Sequence, residues 1–489
     1  MIKKKRNWFS QKFRLFRLFR LFLFFLYISP FLSHYSWGSP QGGSAAAGQA
    51  VINQSGGTTT IQQLTNNVII NWNSFNIGAG QLVQFLQPSA LSAALNRVIG
   101  GDPSLILGAL KSNGRVFLIN PNGILFGAGA EIDTGSFIAS TLNMSNQDFL
   151  SGDYTFNQIS TIPASFIVNQ GTIQAGNGGS VVLLAPLVDN EGTIIANLGD
   201  IGLGAASHAV LSYDNQGLMN LVLSNPSGVP QDVTITPQAY TAILQQVVND
   251  KNVLPATSVE EENGKIVLTN AGGTLVNAGT IEANGVADVN AGSITLNSTQ
   301  DTDLLTNSLI SANGEGVNSN GGNVTVNSQG TTNFDSGAEI EAEGGASGNG
   351  GNVEVSDKTG GIINGLVNTS APDGTIGTFL IDPTDLVITG SSAGSGDQDS
   401  NLPCILFSTP DTTNNTISVG SLEAQTSSIV LQAASSITID NLSGTPANGS
   451  ITLQPNVSLT LQTETGNITF NNPGNSIVAS GTGSLTIEA

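Results

Sequence analysis

From residue 51 onward the chain alternates short apolar runs with Gly, Asn, Asp and Pro turns. In residues 105–127, LILGALKSNGRVFLINPNGILFG, the runs VFLI (116–119) and ILF (124–126) flank Asn120-Pro121-Asn122-Gly123. A second turn signal, Ser112-Asn113-Gly114, precedes the first run. Runs this short, bounded by turn residues, predict buried strands rather than helices. Proline pre-sets φ for a type I turn, and Asn then Gly tolerate the positions that follow. Leu91, Ala94, Leu95, Val98 and Ile99 fall at helical spacing, with Ser89 placed to cap. Residues 236–250 also predict a helix, with Thr236 as cap, Pro237 at the first position and Tyr240, Ile243, Leu244, Val247 and Val248 on one face.

Turn-and-strand units recur. Asn169-Gln170-Gly171-Thr172-Ile173 returns at Asn190 after 21 residues and again at Asn277. Ile281, Ile310 and Ile340 head copies spaced 29 and 30, while Ile294, Val324 and Val353 are spaced 30 and 29. Ile451, Ile468 and Leu485 are each 17 apart. Strands recurring at such intervals cannot be separate domains, so each is expected to pair with the next copy. The fold expected is all-β: a right-handed parallel β-helix of the pectin-lyase-like kind, with one short helical excursion at about 236–250. In GNVTV, Val324 and Val326 should point inward and Thr325 outward.

In order along the chain stand Gln54-Ser55-Gly56-Gly57, INWNSFNIG (70–78), QFLQPSA (84–90), ALNRVIGGDPSLILG (94–108), the Asn120–Gly123 turn and FGAGAEIDTGSFIAST (126–141). As a set these resemble the N-terminal secretion domain of filamentous-haemagglutinin-like exoproteins of two-partner secretion. The NPNL motif of some members is absent, which places the resemblance with the adhesin-like branch. The resemblance favours an extended rung over a helix at residues 91–99. It implies a secretion determinant at Asn120, Pro121, Asn122 and Gly123 together with Asn71, Trp72, Ser74, Phe75, Asn76 and Gly78. It further implies an outer-membrane barrel transporter with periplasmic docking domains as partner, and a host or neighbouring-cell receptor or glycan as target. The location implied is outside a Gram-negative-type bacterium, secreted or at the cell surface, reached through the periplasm.

Charge and composition sharpen this. Of the 14 Lys and Arg, eight lie in residues 1–38, leaving six against all 35 acids. So acidic a body cannot neutralise a run of phosphates, which excludes nucleic acid as partner. Residues 1–38 read as a signal peptide: a basic stretch, an apolar run at 21–32 and small residues at Ser36 and Gly38. Residues 39–50 are small and polar and read as a flexible lead-in. The expected organisation is 1–38 signal, 39–150 secretion domain, 151–390 repeats, and 391–489 a further repeat region that stops inside a repeat. The single cysteine, Cys404, allows no internal disulfide.

Enzymatic chemistry has few groups to work with. After the leader one histidine remains, His208, and it lies in no nucleophile elbow. The carboxylate pairs Asp301/Asp303, Asp382/Asp385, Asp397/Asp399 and Glu260/Glu262 fit solvated loops of an acidic chain. Residues 397–401 lack the glycine and terminal glutamate of a calcium loop. No catalytic residue, metal site or cofactor is therefore expected. The function expected is a non-enzymatic secreted adhesin or haemagglutinin; the alternatives are a β-helical enzyme acting on polysaccharide and the carrier stalk of a longer toxin.

Overall fold

The computed structural model describes residues 38–159, 165–213, 219–225, 233–235, 258–262, 265–269, 273–358, 361–381, 385–390, 415–425, 428–433, 436–443, 448–463 and 466–489. The leader, the helix expected at 236–250 and Cys404 lie outside these residues.

Residues 39–489 form one compact unit in which the chain visits three long sheets in turn. One coil passes through Arg115–Ile119 in the first sheet, Ile124–Phe126 in the second and Glu131–Thr134 in the third. Ser136–Ser140 then stacks in parallel on Arg115–Ile119. Among the described residues the sheets hold 14, 12 and 11 strands, so most coils contribute once to each. This is the expected parallel β-helix. Its interior is a continuous apolar column in which Val116, Leu118, Ile124, Phe126, Ile132 and Phe137 are buried. Each such side chain contributes roughly 1.5–3 kcal/mol on burial.

The repeats fall as their spacing requires, with one correction. Ile281, Ile310 and Ile340 stack in the third sheet, and Ile294, Val324 and Val353 in the first. Val324 and Val326 are buried, with Thr325 on the outer face. The 17-residue series does not stack: Ile468 lies in the second sheet, Leu485 in the first, and Ile451 in a separate pair with Ile477. That interval advances the chain from one strand position to the next, because each uses similar wording, Gly-x-Ile-Thr or Gly-x-Leu-Thr, for its own strand.

The lead-in also differs from expectation. Ser44–Ala47 pairs antiparallel with Asn67–Trp72, and Ala50–Ser55 with Thr58–Gln63, closing the N-terminal edge of the stack. An open sheet edge leaves unpaired N–H and C=O groups, and this hairpin covers them. Gly43 lies where a Cβ would meet the ring of Trp72, so the smallness of the segment reflects close packing. Ala93–Val98 is a strand, as the resemblance favoured.

A second core lies on the outer face of the first sheet. Ile69, Leu95, Phe117, Ile119, Ile138, Val182 and Leu184 are covered there by Leu142, Met144, Phe149, Phe156, Ala209, Leu211 and Leu221. The cover comprises helix α1 (Asn146–Ser151) and the antiparallel strands Tyr154–Asn157, His208–Tyr213 and Met219–Ser224. Ser145 caps α1 by accepting from the Asp148 N–H, Gly152 ends it at φ 83°, and Phe149 sets its ring edge-on to Phe117. Strands beneath the cover are apolar on both faces, as in SVVLLA, whereas strands beyond it alternate, as in NVTVNS. The second described helix, α2 (Val419–Ala424), is capped by Ser418.

Candidate functional site

Asn120–Gly123 makes the corner between the first and second sheets. Pro121 fixes the turn, and the Gly123 N–H donates to the Asn120 carbonyl at 3.1 Å. Asn120 is fully buried. Its main-chain N–H donates to Ser140 O of the next coil at 3.0 Å. Its side-chain Nδ2 donates to Asp102 O and Ser104 Oγ of the preceding coil, both at 3.0 Å. Its Oδ1 accepts from the Asn122 main-chain N–H at 3.0 Å and from Asn122 Nδ2 at 3.2 Å. Asn122 Nδ2 also reaches Gly100 O at 2.9 Å. Asn122 is not among the residues with positive φ, so its place rests on these bonds rather than on tolerance of a left-handed backbone. Gly123 does require glycine: φ is 118°, and a Cβ would stand 3.0 Å from Phe166 Cε1 and Ser165 Oγ.

The second group of expected residues lies two coils earlier and connects to this corner. Asn76 Oδ1 accepts from the Leu105 N–H at 2.9 Å, and the neighbouring Ser104 N–H donates to Gly123 O at 2.9 Å. Trp72 and Phe75 are buried and edge-on, with centroids 5.4 Å apart. Ser74 bridges to Gln41 in the N-terminal cap, and the Gly78 N–H donates to Gln81 Oε1 at 3.1 Å. Asn71 is half-buried and accepts from Arg97 Nη1 at 3.5 Å.

Two residues escaped the sequence reading. Asn96, fully buried, accepts from Trp72 Nε1 at 3.0 Å and donates to Phe117 O at 3.2 Å. Arg97 donates to Asn143 Oδ1, Asn146 Oδ1 and Met144 O at 3.1, 2.8 and 2.6 Å, clamping the outer cover to the first sheet. Burial lowers the Arg97 pKa, but a guanidinium starts so high that it stays charged. The available signal was the pair of polar residues inside ALNRV, an otherwise apolar strand.

Of the groups weighed for chemistry, His208 Nδ1 is held at 2.7 Å by Asn157 Oδ1. Asp301 accepts from Thr331 and Asp303 from Asn333 in the stacked coils. The side chains of Asp382, Asp385, Asp397, Asp399 and Glu260–Glu262 lie outside those described. Among the described residues no three His, Cys, Asp or Glu side chains gather as metal ligands.

Residues 38–283 match the family model of the TPS secretion domain. Two curated heme/hemopexin-binding proteins of Haemophilus influenzae are 31% identical over 247 residues and 25% identical over 238 residues. These alignments take in 47% and 43% of this chain but 27% and 26% of the relatives, so the chain spans about a quarter of their length. The crystal structure of the HMW1 secretion domain from Haemophilus influenzae superposes with a TM-score of 0.53 at 21% identity, over 92% of this chain and all of that one. It shares the fold.

Proposed function

Because the chain belongs to the TPS secretion-domain family, as a two-partner secretion exoprotein sent across the outer membrane of a Gram-negative bacterium, we propose that a barrel transporter with periplasmic docking domains releases it. We further propose that its body then works outside as a binding surface, an adhesin, rather than as a catalyst. The observation that carries the reading is that the matched region holds a buried corner, Asn120–Gly123, joining three successive coils through named bonds. Coils formed first outside the cell give later strands an edge to stack on, and each added rung makes the return inward costlier. The role of Asn120–Gly123 and of Asn71–Gly78 is therefore to build that first template.

The names of the curated relatives favour a second reading of the target: heme or hemopexin rather than a cell surface. Expression in a Gram-negative host with and without a co-expressed two-partner barrel transporter tests the first part. Release into the medium should depend on the barrel, and equal release without it would refute the reading. Binding of the released protein to host cells, and to heme and immobilised hemopexin, then separates the two readings.

A further inference from the structure

The second sheet breaks the sequential order once. Its strands run in order up to Ile362–Ile363, after which comes Asn415–Ser418, then Asp385–Thr389, then Ser436–Ile439. The chain thus lays Asp385–Thr389 one rung ahead and returns to fill the gap with a later segment. Ile362 faces Thr416, and Ile363 faces Ile417. On the other side Val387 faces Thr416, and Ile388 faces Ile417. Taking the inserted strand away would set Val387 on Ile362 and Ile388 on Ile363 without any slip of register. Ile363, Ile388 and Ile439 are all buried at this inward position, so one apolar column accepts either arrangement.

The segment that follows the inserted strand supplies what favours the final order. From Ser418 the chain enters α2, which buries Val419 and Leu422. Gln425 Oε1 accepts from the Val367 N–H at 3.1 Å on the last strand of the third sheet. Glu423 Oε1 accepts from the Thr452 N–H at 2.7 Å in the coil beyond. Until α2 is seated, those two main-chain donors have no such acceptor.

We propose that Asp385–Thr389 and Asn415–Ser418 compete for one rung. The earlier segment pairs first with Ile362–Ile363, then is displaced by the later one and moves up one rung, about 4.8 Å. Loop length orders the events. The loop from Asp385–Thr389 back to Ile362 is roughly half as long as that of Thr416, so it closes at lower entropic cost. Docking of α2 then drives the exchange.

The test uses the full chain with Cys404→Ser and paired cysteines. Ile362→Cys with Val387→Cys reads the early pairing, and Ile362→Cys with Thr416→Cys reads the final one. In the final structure positions 362 and 387 are two rungs apart, about 10 Å, beyond the reach of a disulfide. The protein is refolded from denaturant and oxidised in brief pulses at increasing delay. The 362–387 bond should form in most chains at early delays, then fall at least tenfold as the 362–416 bond rises. Adding Leu422→Asp, which undocks α2 and lies outside both strand segments, should make the 362–387 bond persist at late delays. A 362–387 bond never exceeding that of a distant control pair, Ile362→Cys with Thr438→Cys, would overturn the proposal. So would an unchanged time course in the Leu422→Asp protein.

Discussion

Asn120 ties its own turn to the preceding coil through its side chain and to the next coil through its main-chain N–H, which makes it the most sensitive single position in the corner. Asn120→Ala removes the bonds to Asp102 O and the buried Ser104 Oγ and takes the acceptor from the half-buried Asn122 N–H. Leaving buried polar groups unpaired costs about 1–3 kcal/mol each, so the expected loss is about 3 kcal/mol in a denaturant titration. Trp72→Phe keeps the ring against Phe75 but leaves Asn96 Oδ1 without its indole donor. It should cost about 1–2 kcal/mol, less than Asn120→Ala; the reverse order would show that the buried Trp72–Asn96 link matters more than the corner. At this scale the turn is legible in the sequence, but how far its side chains reach is not. Asn-Pro-Asn-Gly announces a corner through local backbone preference. Which carbonyls its side chains meet depends on stacked coils tens of residues away, and no local pattern carries that.

Stacking turns local repeats into ladders. Asn169 Nδ2 donates to Asn190 Oδ1, and Asn190 Nδ2 to Asn277 Oδ1, both at 2.8 Å, and all three residues are fully buried. Asn190 therefore holds two rungs at once. Asn190→Ala should cost about 2–4 kcal/mol and increase amide exchange in strands Phe166–Asn169 and Thr274–Asn277 together; exchange confined to Leu187–Asn190 would refute a continuous ladder. These residues were legible because the copies of one turn-and-strand wording stack directly, even though 21 residues separate the first two and 87 the next. The 17-residue series misled for the opposite reason: its copies occupy different faces. The outer cover was partly written in the switch from alternating strands to strands apolar on both faces, and in Ser145 and Gly152 at the ends of α1. The cap at residues 44–47 was not, since Ser-Ala-Ala-Ala carries no alternation to read. Gly202 and Gly204 sit where side chains would strike Met219 and Leu223 of the cover. Gly204→Leu should accordingly detach the hairpin, seen as loss of exchange protection in His208–Tyr213 with the inner coils unchanged.

The acidity of the whole molecule concentrates at coils where carboxylates stack. Burial raises the pKa of Asp303, against a bond from Asn333 and with help from Asp301 and Asp335. Burial likewise raises Glu341, opposed by a bond from Asn313 and reinforced by Glu343, Glu339 and Glu282. Asp335 is raised chiefly by burial. Between the ordinary values, 3.8 for Asp and 4.5 for Glu, and the raised folded ones, the folded state binds more protons than the unfolded. Stability therefore falls as pH rises through that window and is regained on mild acidification. Exchange in coils 301–343, corrected for intrinsic rates, should be slower at about pH 5 than at pH 7, and Asp303→Asn should flatten the difference; faster exchange at the lower pH would contradict it. Acidic self-repulsion along a stack also suits a body that folds from one end, each coil waiting for the edge before it. The most direct test of that account is release itself, with the barrel partner present. Pro121→Ala combined with Asn122→Val should abolish appearance in the medium while export to the periplasm continues. Asn456→Val, in a late turn with φ 70°, should lower stability yet still permit release. Equal release of the Pro121→Ala/Asn122→Val protein and the unaltered chain would contradict the claim that this corner founds the secreted fold.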